Sequence, residues 1–225
     1  MAKELSAFLD ESGGMGGTSK YRLVVLVLHE QDAPIADAIV RYETDLAAKG
    51  LPDVPFHAGP LMYGKDAYKD MPLAERRRLF ASFSFFQRRL PFRYHVFAYR
   101  RSEWPDEARF QARLRRDLVV FLERHLPWLQ SFDDVKLYYD GGQQTIRNAV
   151  HAALEYELSR QAVVYRSASP LEYRLSQVAD YICTLELAAL KFDAHEATAT
   201  DEAFFGRSSV TFKRDYLKKL RMKLL

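Results

Sequence analysis

The stretch FLDESGGMGG, Phe8 to Gly17, decides how this chain is read. An apolar run over 5–9 has the character of a strand and delivers two adjacent carboxylates, Asp10 and Glu11, before Ser12 and a glycine-rich loop. A second, longer apolar run over 21–29 follows so closely that the pair reads as an antiparallel hairpin. Side chains alternate along a strand, so Glu11 points away from Asp10 if the strand continues, and joins it only if the loop turns the chain. Asp10, at the strand terminus, is the better metal ligand of the two. The loop GGMGGTSK is not a phosphate loop: that motif needs Gly-Lys before its Ser or Thr, whereas Lys20 comes last. The glycines make a tight connection that leaves the acids accessible.

Working outward, helical spacing is expected over 33–49, 73–90, 103–129 (stopped or kinked at Pro127), 145–160 and 171–192. Strands are expected over 92–99, 135–139 and 162–166. Residues 51–72, rich in Pro and Gly, read as a functional or partly mobile loop. Residues 210–225 read as a strand or irregular segment and then helix. Interleaved strands and helices opened by a hairpin predict one α/β domain over 1–225, with a mixed β-sheet, helices on both faces and a basic tail from about 210. A ribonuclease H-like layout is compatible with that order.

The composition is that of an ordinary globular protein: 225 residues, 48% hydrophobic and 28% charged. No apolar run approaches the roughly 18–20 residues of a membrane span, and the start of the chain lacks a signal-peptide layout. Cys183 stands alone, so no intrachain disulfide forms; apolar neighbours mark it as a buried structural thiol. These features predict a cytoplasmic protein with no membrane partner. The net charge is only +3, but basic residues cluster at 76–78, 88–89, 100–101 and 113–116. The tail adds Lys213, Arg214, Lys218, Lys219, Arg221 and Lys223 against Asp215. Leu217, Leu220 and Leu224 are expected to dock that tail while its basic groups face a polyanion such as RNA or DNA.

Three acids stand out by position. Asp10 ends the first strand, Asp140 ends the strand over 135–139, and Asp180 lies within the apolar helix LSQVADYICTLELAAL, where Gln177, Asp180 and Thr184 form a polar stripe. If the first and fourth strands are parallel neighbours, their carboxyl ends share the crevice that α/β sheets use for ligands, and the helix brings Asp180 across it. A carboxylate in such a helix is costly unless paired, and a divalent metal satisfies several together. The competing readings are structural: Asp10 bonding the glycine loop, Asp140 opening a turn or capping a helix, and Asp180 paired with an arginine. His57, in PFHAGPL, is either a packing histidine or a metal or phosphate contact. His29, His95, His125, His151 and His195 have no ligand spacing and read as structural. No Ser-His-Asp arrangement declares itself.

The four motifs FLDESG (8–13), FHAG (56–59), YYDGG (138–142) and QVADYI (177–182) resemble, in order, those of domain-of-unknown-function family 3800. The resemblance runs from the first strand to the late helix. It implies a ribonuclease H-like fold and a metal-dependent nuclease-type site of Asp10, Asp140 and Asp180, with Glu11 helping. The leading expectation is a Mg²⁺- or Mn²⁺-dependent nuclease in which Glu11 also binds metal, directly or through water, and His57 contacts the scissile phosphate. It also implies a genomic setting near mobile elements or defence genes. One departure is Arg166, in YRSASPLEY (165–173), where family members carry an acid. The other functions the sequence allows are a non-catalytic adaptor for nucleic acid or protein, and a metal-dependent hydrolase of a small phosphorylated molecule.

Overall fold

The computed structural model describes residues 2–13, 19–104, 106–139, 143–158, 163–166 and 173–225. The chain opens with β1 (Glu4–Ser12) and β2 (Tyr21–Glu30), the expected antiparallel hairpin. Then come α1 (Ala36–Ala48), α2 (Ala58–Tyr63), α3 (Leu73–Arg89), β3 (Arg93–Arg100), α4 (Glu107–Arg124), α5 (Leu126–Leu129) and β4 (Asp134–Tyr139). After them follow α6 (Gln144–Leu158), β5 (Val163–Arg166), α7 (Arg174–Asp193), α8 (Ala199–Phe205) and α9 (Ser209–Phe212).

The five strands form one mixed sheet in the order β3-β2-β1-β4-β5. β2 runs antiparallel to both its neighbours, while β1, β4 and β5 are parallel. β1 is therefore central. β2 is buried along almost its whole length, the signature of a sheet covered on both faces. Its alternation divides the interior in two. Phe8, Leu23, Val25 and Val27 pack against α1, α2, α3 and α7, whereas Leu9, Val24, Leu26 and Leu28 pack against α4 and α6.

The hairpin depends on Gly13, whose φ is +80°; a Cβ there would lie 1.9 Å from the Tyr21 carbonyl oxygen. Arg101 braces the same region, donating from Nη2 to the Gly13 carbonyl at 2.5 Å and from Nε to the Ser19 carbonyl at 3.0 Å.

The structure departs from the sequence reading at four places. Residues 51–72 are not a loose loop: they hold α2 and a 3₁₀ turn over Asp66–Tyr68, and bury Phe56, Ala58, Leu61, Met62 and Tyr68. Pro127 does not kink a long helix but sits in the first turn of α5, where its missing N–H costs nothing. The helix α8 was unread, although Thr198 and Asp201 form a reciprocal capping box. The tail is helical from Ser209, with Ser208 as its cap, and continues through a π-helical turn over Lys213–Leu217.

Leu217 and Leu220 dock as expected, but Leu224 stays 41% exposed. Part of the tail's charge is paired within the fold, while Arg214 pairs with its neighbour Asp215 at the surface. Arg221 pairs with the buried Glu186 at 2.6 Å, and Glu186 also accepts from the Tyr94 hydroxyl at 2.9 Å. Lys213 pairs with Asp193, and Lys223 donates to the Leu90 carbonyl and covers the Phe92 ring. Lys218 and Lys219 remain exposed. No helix among the described residues is long and apolar enough to cross a membrane.

Removing Arg221 leaves the Glu186 carboxylate buried with, among the described residues, Tyr94 as its remaining hydrogen-bond partner. Arg221→Met is expected to cost about 1–3 kcal/mol in denaturant unfolding, against less than about 0.5 kcal/mol for Lys219→Ala. Equal effects would mean that the tail is held by its leucines alone.

Candidate active site at the end of the central strand

β1 remains a strand through Ser12, so the period of two holds past the acids. Asp10 faces the α7 side with Phe8, while Glu11 faces the α4 and α6 side with Leu9. Glu11 is committed there. Its Oε2 accepts from the Tyr139 hydroxyl, and its Oε1 accepts from the Gln143 backbone N–H at 3.0 Å, one residue before α6 begins. An anion at that place also favours the positive end of the α6 dipole. Glu11 thus ties the end of β1 to α6 and does not share the side of the sheet that carries Asp10.

α7 lies across β1 and β2, and twelve of its residues are buried. One stripe stays partly open: Ser176, Asp180, Thr184, Leu187 and Lys191, at steps of three or four. Gln177, expected on the polar stripe, is instead 1% exposed and belongs to the packed side. Asp180 is held from a third element. Its Oδ2 accepts from the Ala58 N–H at 2.6 Å, and its Oδ1 lies 3.6 Å from His57 Nε2.

The segment carrying His57 is itself clamped. The Tyr68 hydroxyl donates to the Pro55 carbonyl at 2.9 Å and accepts from the His57 N–H at 3.1 Å. The imidazole remains 63% exposed, turned to solvent beside the carboxylate. Tyr68 went unnoticed in the sequence, where a lone tyrosine in a Pro- and Gly-rich stretch carries no signal.

Asp10 and Asp180 feel one another. Burial, then the charge of Asp180, raise Asp10 well above the ordinary carboxylate range. Burial pushes Asp180 up to about 7, partly offset by the Ala58 N–H. Burial and these same two aspartates raise the Cys183 thiol, which stays protonated as a structural group. Two carboxylates thus share a poorly solvated site, with His57 as the one nearby group that can carry positive charge among those acting on Asp10.

Asp140 follows the last residue of β4 in sequence and lies outside the described residues, as do 14–18 of the glycine loop. Among the described residues, no group of three or more His, Cys, Asp or Glu side chains could hold a metal ion. Of the other histidines, His29 contacts the Pro91 carbonyl at 2.7 Å, while His95 and His125 pack on Phe121. His195, read as structural, instead lines an open cleft of about 580 Å³ beside α7.

Compared with known proteins, the chain matches no family model, no curated protein and no solved structure.

A carboxyl whose folded pKa lies above its unfolded value stabilises the fold at low pH and loses that contribution as pH rises through the folded value. For Asp180 the window runs from its ordinary 3.8 to about 7. Without metal, the wild type should lose melting temperature across that window, and Asp180→Asn should lose less. The Tm difference, variant minus wild type, is expected to be several degrees more positive at pH 8 than at pH 5. A constant difference would mean that Asp180 is not strained by its charge.

Proposed function

We propose that this chain is a ribonuclease H-like, divalent-metal-dependent nuclease that hydrolyses phosphodiester bonds of RNA or DNA, related to domain-of-unknown-function family 3800. The observation that carries the reading is the meeting of Asp10 and Asp180 on one side of the central strand's carboxyl end. The strand order, with β2 alone antiparallel to the rest, is consistent with the fold that the motif resemblance implies. The crevice at the carboxyl ends of β1 and β4 is where α/β sheets place their chemistry.

The donor set suits a hard cation. Burial raises both carboxylates, and the charge of Asp180 raises Asp10 further, so the pair gains most from a positive ion between them. Asp10 and Asp180 would hold Mg²⁺ or Mn²⁺, with Asp140 as the third ligand proposed from sequence. When bound, the ion supplies an activated water and neutralises charge on the phosphate.

The chain's own groups do the rest. The Ala58 N–H fixes one oxygen of Asp180 and leaves the other toward His57. His57, exposed and anchored by Tyr68, is placed to contact the phosphate or to carry a proton to the leaving oxygen. Glu11 acts through α6 and not on substrate.

Asp10→Asn and Asp180→Asn should each lower cleavage at least about 100-fold on a panel of single- and double-stranded RNA and DNA with Mg²⁺ or Mn²⁺, and should weaken Mn²⁺ binding by calorimetry. Glu11→Gln should bind Mn²⁺ within a few-fold of wild type yet unfold about 1 kcal/mol more easily, since Tyr139 and Gln143 lose a charged acceptor. No cleavage by wild type on any substrate, with no Mn²⁺ binding, would hand the chain to the adaptor reading.

A further inference from the structure

The cleft of about 580 Å³ begins where the acids end. Ser12 and Thr184 line it, two and four positions after Asp10 and Asp180 in the same strand and helix, and so does Gly59, two positions after His57, which caps α2. Its long wall is the C-terminal part of the open stripe of α7, Thr184, Leu187 and Lys191, which starts one turn after Asp180. The cleft thus adjoins the elements that carry Asp10, His57 and Asp180, without being lined by those residues themselves.

We propose that this cleft takes one unstacked nucleotide of a single strand, with its base on Tyr63, so that the protein acts on single-stranded nucleic acid and not on duplex. The inference rests on the nuclease reading and names its substrate class.

Three features of the cleft fit a base and sugar better than a run of phosphates. First, an aromatic ring is available. Tyr63, the last residue of α2, is 53% exposed, with Met62 and Leu187 adding apolar surface. One face of the ring meets the Lys65 ammonium, 5.7 Å from the centroid. An exposed ring on a cleft wall is still a stacking platform, and base stacking tolerates any sequence because every base has a π-face.

Second, the cationic groups on the walls are already matched. Lys20 pairs with Glu196 at 2.9 Å, and Lys191 pairs with the buried Asp201 at 3.1 Å. Walls with balanced charge do not track a polyanionic backbone. The phosphate is left to the acidic end and its metal. Third, the volume falls in the range of roughly 300–1,000 Å³ that encloses a small ligand. A paired duplex offers only base edges in its grooves, whereas ring faces come from single strands or flipped bases.

His195 adds a further sign. It lines the cleft at φ +56°, a backbone conformation just past the end of α7 that usually falls to glycine. An imidazole is kept there at the expense of local strain.

Binding can be read without catalysis. With Ca²⁺ in place of Mg²⁺ or Mn²⁺, anisotropy of a labelled single-stranded oligonucleotide and of its duplex is measured against wild type, Tyr63→Ala and Tyr63→Phe, with 5′-AMP as a separate competitor. Single strand is expected to bind at least about tenfold more tightly than duplex, and Tyr63→Ala to weaken it about tenfold. Tyr63→Phe should stay within about twofold, because it keeps the ring. Tyr63 is exposed at a helix end, so the alanine variant keeps its fold; its melting temperature is checked alongside.

Equal affinity for duplex, or unchanged single-strand affinity in Tyr63→Ala, overturns the proposal. So does binding of 5′-AMP with no oligonucleotide binding, which would make the cleft a site for free nucleotides. Tyr63-dependent binding without any metal-dependent cleavage supports the cleft and sinks the nuclease reading. Cleavage that is indifferent to Tyr63 does the reverse.

Discussion

Everything at the candidate site depends on β1 being paired on both edges. The antiparallel ladder to β2 and the parallel ladder to β4 fix its register from both sides. Register fixes face: a slip of one residue would exchange every inward and outward side chain. Asp10 would then fall among the apolar residues under α4 and α6, and Glu11 would take its place beside α7. With two ladders to break, such a slip is closed to the chain, and the two adjacent acids hold different roles. One is offered to the face that α7 covers. The other is bound to Tyr139 and to the backbone ahead of α6.

A second constraint follows from the first. Fixing Asp10 under α7 forces it to share poorly solvated space with Asp180, and neither residue can move away. Asp10 is held in a strand, and Asp180 in a helix with most of its residues buried. Stability alone would favour an arginine or a neutral pair here, because burying like charges is costly. Among the described residues Asp180 meets only an N–H and an exposed imidazole. An arrangement that works against folding and is held rigid from three elements is the feature on which the proposed metal chemistry rests.

The parts of this architecture visible in the sequence are those set by local pattern. The apolar runs mark β1, β2 and β4. The period of two separates Asp10 from Glu11 only if the strand continues, a condition the sequence leaves open. The strand's extension to Ser12 meets it, against the expectation that Glu11 binds metal. The parallel pairing of β1 with β4, expected from the acids at their ends, is present. What escaped was set by tertiary burial. α2 is six residues long and interrupted by Gly and Pro; it stands because Ala58, Leu61 and Met62 are buried, not because its residues favour helix. The tail opens with Val210, Thr211 and Phe212, which favour strands, yet Phe212 is fully buried between aromatic rings and the segment is helical. α8 was legible and passed over, since its capping box stands in the sequence as Thr198 and Asp201. Gln177 was misplaced because a polar residue on a helix need not join the polar stripe when the neighbouring side is fully packed.

The clamp that completes the site does not titrate with it. Tyr68 is buried, and burial raises its hydroxyl to about 12, so the phenol keeps its proton at any pH where the carboxylates change charge. It therefore goes on donating to Pro55 and accepting from His57 whether Asp180 is protonated, ionised or bound to a cation. The same division appears on the opposite side of the sheet. Burial and the charge of Glu11 raise the Tyr139 hydroxyl, which holds Glu11 as a neutral donor. Neutral phenols fix the frame on both faces, beside the two carboxylates whose charge burial perturbs, Asp10 and Asp180. A site built this way can change its charge state without changing its shape, as preorganised electrostatic chemistry requires.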